Sequence, residues 1–274
     1  MPLALNADGT APGLTAKELE KVRLLLSTYQ DGYGMLRNKR AGSNLTLPGW
    51  RDYERVVAVA FNGRAVESKA LFDVEIDHPD GTKYGISCKM RNMLNNALKP
   101  DGRVMIEVSN AAGELMDCVL AIGRGITAAN FRNYPDAAAK ALFATIQSWH
   151  DEAGTANGGD MTLAKSSYLV LQYNKAGKYK LFQYPLKFPK WRKFKWAFIK
   201  GEKRLSGKLA DGTLVFEWYP GSGGQFKYQP LTSDALWASD TFELEPLPAK
   251  LQESRLIVRA KEYFPDKWQT CTEE

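Results

Sequence analysis

Histidine is nearly absent. His78 and His150 are the only two in 274 residues, which disfavours chemistry that needs an imidazole base, nucleophile or clustered metal ligand. Cysteine is almost as scarce. Cys88, Cys118 and Cys271 stand at wide, unmatched spacings that make neither a zinc site nor a disulfide framework, so a reducing, cytoplasmic setting is expected. No apolar run approaches the length that spans a bilayer, so no membrane is expected among the partners. The opening MPLALNADGTAPG lacks the basic start and long apolar stretch of an export signal. Internal repeats and low-complexity segments are missing as well.

What is present is an ordinary globular composition, in a chain long enough for one sizeable domain or two small ones. The net charge of +6 is unevenly placed. The run KFPKWRKFKWAFIKGEKRLSGK, residues 187–208, holds Glu202 as its only acid. A polyanion is the natural partner for such a run, with a solvated charged face as the plain alternative.

Thr15-Ala-Lys-Glu18 predicts a capping box ahead of a first helix carrying Leu19, Val22, Leu25, Leu26 and Tyr29. RDYERVVAVAFNG predicts a second helix, with Glu54 in its first turn and a stop at Asn62-Gly63. A hairpin turned at Pro79-Asp80-Gly81 follows, then a strand over RVMIEV, residues 103–108, and helices over NAAGELMDCVLAIG and DAAAKALFATIQSWHDEAG. After Gly154 the chain turns β-rich, with strands in SSYLVLQYN, GKYKLFQYPL, KWAFIKG and TLVFEWY, a last helix over 249–263 and a polar tail. The order predicts an α/β core with β-rich decoration. Residues 1–155 are expected to form a helical N-terminus and core, and 156–274 a β-rich half completing the same globular unit.

The hairpin FDVEIDHPDGTKYGISCKM, residues 72–90, has two unlike faces. Phe72, Val74, Ile76, Ile86, Cys88 and Met90 make an apolar side whose burial fixes the register. That register sets Asp73 opposite Ser87, with Lys89 on the same face one step along. A half-wet antiparallel hairpin explains this pattern without any site. Carboxylates that hold a hard divalent cation, with a lysine for phosphate charge, explain it too.

Asp73, a hairpin, then Ser87-Cys88-Lys89, preceded by a helix with Glu54, resembles the core of the PD-(D/E)XK nucleases, and among them the type II restriction endonucleases. The resemblance covers about residues 50–125 on a short, degenerate motif. It implies a mixed sheet flanked by helices, with a β-rich C-terminal portion for recognition. It further implies Mg2+-dependent hydrolysis of double-stranded DNA, a homodimer, and a cognate DNA methyltransferase as functional partner. Two positions depart from the pattern: Phe72 replaces the proline, and Ser87 replaces the acid two before the lysine. Some enzymes of this kind bring the missing carboxylate from a later position. Glu107 is the nearest candidate, with Glu114 and Glu75 behind it. Asp73, Lys89, Glu107, Glu54 and Ser87 are the expected site residues, Asp73 and Glu107 the expected metal ligands.

For DNA, the basic run offers Lys190, Arg192, Lys193 and Lys195, which would set affinity and salt dependence but not sequence choice. EWYPGSGGQFKYQP, residues 217–230, offers Ser222, Gln225 and Lys227 near a glycine-rich loop, suited to reading base edges, with a glycine-rich hairpin turn and an ordinary polar strand as the plain alternative. Lys69, Arg91, Asn92 and Asn110 flank the hairpin site. Histidine scarcity disfavours HNH-type nucleases. A structure-specific repair or phage nuclease of the same fold, and a non-catalytic nucleic-acid-binding protein, remain alternatives.

Overall fold

Thr15 caps the first helix, α1 (Ala16–Ser27). The Glu18 N–H donates to its hydroxyl at 3.2 Å, and its own N–H donates to the Glu18 carboxylate at 2.7 Å. In α2 (Trp50–Ala60) the acid that serves the N-terminus is Asp52, which accepts from the Gly49 N–H at 2.9 Å. Glu54 therefore lies beyond the first turn, not in it, and the dipole does not account for it. Asn62, at a left-handed φ of 52°, ends α2, and the Gly63 N–H reaches back to the Ala58 carbonyl at 2.8 Å. The computed structural model describes residues 4–5, 12–37, 46–66, 71–108, 112–201, 203–221, 224–248 and 256–272.

β1 (Val74–Asp77) and β2 (Lys83–Arg91) form the expected hairpin, with Val74 opposite Ile86 and Asp77 opposite Lys83. Gly81 supplies the positive φ of 81° that its turn requires. Next come β3 (Ile106–Val108), α3 (Ala112–Leu120), α4 (Pro135–Ala153), β4 (Ser167–Tyr173) and β5 (Lys178–Pro185). β4 lies parallel to β2, Lys89 beside Val170, and β5 is antiparallel to β4. The short strands Arg64–Ala65, Trp237–Ala238 and Phe242–Glu243 complete a mixed sheet, seven-stranded among the described residues. β6 (Lys195–Ile199), β7 (Arg204–Lys208), β8 (Leu214–Tyr219) and β9 (Gln225–Tyr228) make an antiparallel meander whose far neighbour is β3. Helices α5 (Leu256–Tyr263) and α6 (Pro265–Thr272) follow.

The chain is α/β, with a mixed sheet flanked by helices. Val74, Ile76, Ile86, Cys88 and Met90 pack with Leu169 and Leu171 against α1, α2, α5 and α6. On the opposite face Tyr168, Val170, Phe182 and Tyr184 meet Val104, Ile106 and Val108. Phe216, Trp218 and Phe226 of the meander pack on α3 and α4 through Leu115, Val119, Leu142 and Ile146.

Several elements differ from the sequence-based expectation. Of RVMIEV only Ile106–Val108 is strand, and it joins the meander, not the hairpin's sheet. The stretch RLSGK forms β7, where Gly207 leaves room for the Trp196 ring. The expected polar tail holds α6, which opens at Pro265, a favoured first helical position, and buries Trp268. Of the last expected helix, 249–255 lie outside the described residues.

Candidate active site

Asp73 stands one residue before β1, and its N–H donates to the Ile86 carbonyl at 3.0 Å. Its Oδ2 accepts from the Cys88 N–H at 2.7 Å, the Ser87 hydroxyl at 3.2 Å and the Lys89 ammonium at 3.3 Å. A side-chain carboxylate thus continues the strand ladder and gathers Ser87 and Lys89 around one oxygen. Oδ1 has no hydrogen-bond partner among the described residues. The register expected from the apolar face is the observed one.

The polar face is not wet. Ser87 is only 2% exposed. β4 flanks it on one side, and the Phe72 ring covers Gly85, where a Cβ would come within 2.1 Å of the ring. Phe72 therefore belongs to the core on the Ser87 side of the sheet, not to the Val74 side expected from alternation. It precedes β1, so strand parity does not bind it. Asp73 and Lys89 keep partial access to solvent.

That access is a polar cleft of about 260 Å3 lined by Trp50, Arg51, Glu54, Arg55, Ala65, Val66 and Asp73. Glu54 projects from α2 with no hydrogen bond or ion pair among the described residues. Burial, and then the charge of Asp73, push its pKa up to about 7, while Lys89, Arg51 and Arg55 pull the other way. Two carboxylates with unengaged oxygens share the cleft.

Glu107 is placed differently. It pairs with Arg91 from β2, and Lys227, its register partner on β9, stands 3.7 Å away. It thereby ties the two sheets together. Glu75 pairs with Arg64, and Glu114 is exposed on α3. No group of three or more acids, histidines and cysteines arranged to hold a metal occurs among the described residues.

No family model, curated protein or solved structure matches this chain.

Lys190, Arg192, Lys193 and Lys195 are exposed while Phe194 and Trp196 are buried, so this run is core on one side and cationic surface on the other. Asn92 is exposed at the end of β2. Gln225 is half-buried on β9, and the Lys227 ammonium lies 4.7 Å from the centre of the Tyr219 ring. Lys69, Asn110 and Ser222 lie outside the described residues. His150 Nε2 is 3.0 Å from the Tyr168 hydroxyl, and burial pushes its pKa down to about 4. Burial pushes the Cys88 thiol up, as suits a packed side chain.

Sequence reasoning missed Trp50, Arg51 and Arg55 as site-lining groups. RDYER carries the two arginines four apart, on one helix face with Glu54, but nothing in the sequence says that this face meets Asp73.

Proposed function

We propose that the protein is a Mg2+-dependent DNA endonuclease of the restriction type, built on the PD-(D/E)XK pattern. The observation that carries this reading is the Lys89 ammonium 3.3 Å from Asp73, at the edge of a cleft that Glu54 also lines. The helix before the hairpin and the mixed sheet flanked by helices support it.

Mg2+ prefers oxygen ligands and keeps several waters, so one or two carboxylates suffice. Asp73 Oδ1 and the Glu54 carboxylate suit such an ion, being unengaged and close enough to raise the Glu54 pKa. Glu107 fits less well as the second ligand, since its charge already answers Arg91 and Lys227. Held by Asp73 and Glu54, such an ion would supply positive charge beside the scissile phosphate and a more acidic water for in-line attack. Lys89 donates to a phosphate oxygen and counters the charge that builds there. Ser87 donates to Asp73 and holds its carboxylate in one orientation. Arg91, Asn92 and the exposed cations of 190–195 grip the backbone, with Gln225 and Lys227 near base edges. A symmetric dimer is the economical arrangement for cutting both strands of a palindromic site, with a cognate methyltransferase protecting host DNA.

Incubation with unmodified plasmid DNA and Mg2+, followed by sequencing of the ends, tests the reading. Defined fragments with common ends support restriction-type cutting. Cutting confined to ends, flaps or junctions indicates a structure-specific nuclease, and binding without cutting in Mg2+ or Mn2+ a non-catalytic protein.

A further inference from the structure

The lip of the carboxylate cleft carries groups that hydrolysis does not use. Trp50, the first residue of α2, is 50% exposed. The Arg51 guanidinium lies 4.9 Å from the centre of its indole ring and holds it in place. Arg51 and Arg55 are exposed, line the same cleft, and form no ion pair among the described residues. An indole face in water beside two cations without an ion pair among the described residues matches a nucleotide: the ring stacks a base, and the guanidinium groups hold its phosphate. The cleft, at about 260 Å3, is smaller than the ~300–1,000 Å3 typical of drug-sized sites. Inside a paired duplex both faces of a base are already stacked. An indole on this lip therefore selects a base that has left the stack.

We propose that Trp50, Arg51 and Arg55 form a nucleotide-holding lip whose occupant is an unpaired deoxynucleotide adjoining the phosphate at Asp73 and Lys89. The position of that phosphate rests on the nuclease reading; the lip as a binding site does not. The occupant is then a nucleotide whose base is already unpaired and out of the stack, as in a single strand.

The test is fluorescence anisotropy of the full chain, without divalent cation, on a fluorescein-labelled single-stranded oligonucleotide and on the matching blunt duplex. Trp50→Ala is expected to weaken single-strand binding roughly 5- to 100-fold, the range for loss of one base–aromatic stack. Trp50→Phe keeps a stacking face and is expected to stay within about threefold of wild type, with duplex binding unchanged in both variants. The double variant Arg51→Ala, Arg55→Ala should flatten the salt dependence on the single strand. No single-strand binding by wild type, no effect of Trp50→Ala, an equal loss in Trp50→Phe, or an equal loss on the duplex would each overturn the proposal. Plasmid cutting separates the two claims. Cutting with no Trp50 effect leaves the nuclease and removes the lip, whereas a Trp50 effect with no cutting leaves the lip and removes the nuclease.

Discussion

Replacing Glu54 by glutamine removes one charge from a cleft that holds two acids. The Glu54 pKa stands at about 7 against an ordinary 4.5, with burial the first cause and Asp73 the second. Each unit is about 1.4 kcal/mol, and solvent in the open cleft screens part of the effect, so ionised Glu54 should cost the fold roughly 1–3 kcal/mol. The folded chain retains a proton that the unfolded chain has released between about pH 4.5 and 7. Stability from this group is therefore full below 4.5 and lost as pH rises through 7. Glu54→Gln should be the more stable protein by roughly 1–3 kcal/mol near pH 8, and the two should converge near pH 4.5. His150 acts in the opposite sense. Its lowered pKa gives stability that is present above the ordinary histidine range and lost as pH falls toward about 4. That contribution is common to both proteins and cancels in the difference. Urea unfolding followed by circular dichroism across this range measures it. Millimolar Mg2+ should narrow the gap at high pH by stabilising wild type more than the variant. A difference independent of pH, or a less stable variant near pH 8, would refute the electrostatic account of the cleft.

Glu107→Ala frees Arg91 and Lys227, so DNA affinity should rise and the salt slope steepen by up to about two counterions, while Mg2+-dependent cutting persists; loss of cutting in a folded variant would make Glu107 the second acid after all. Arg259→Ala strands Asp31 in the core, where their side chains are 2% and 0% exposed and 2.7 Å apart, and should cost about 3–5 kcal/mol in urea unfolding. Gly85→Ala drives a methyl group into the Phe72 ring and should cost about 1–3 kcal/mol in urea unfolding, and less than that when introduced into Phe72→Ala.

The hairpin was legible because its apolar face permits one register, and with it the placing of Asp73, Ser87 and Lys89 together. Both early helices were legible from Thr15 and from Asn62-Gly63. The burial of Ser87 was not, because the strand that covers it, β4, arrives from far along the chain. Nor was the ion pairing of Glu107. Sequence distance favoured Glu107, but β3 pairs with β9, and there its charge meets Lys227. Glu54 reaches Asp73 only because the apolar face of α2 packs on β1 and β2. β7 escaped notice because Ser206 and Gly207 have little strand propensity, Gly207 serving instead to seat Trp196.

The central claim is that Lys89 and Asp73 form the working pair of a DNA-cleaving site. Wild type and Lys89→Ala, incubated with supercoiled unmodified plasmid and Mg2+ and assayed in parallel for DNA binding, test it most directly. Wild type should cleave at discrete positions, and the variant should bind DNA nearly as well without cleaving it. Full cleavage by Lys89→Ala, or none by wild type in Mg2+ or Mn2+, would contradict it.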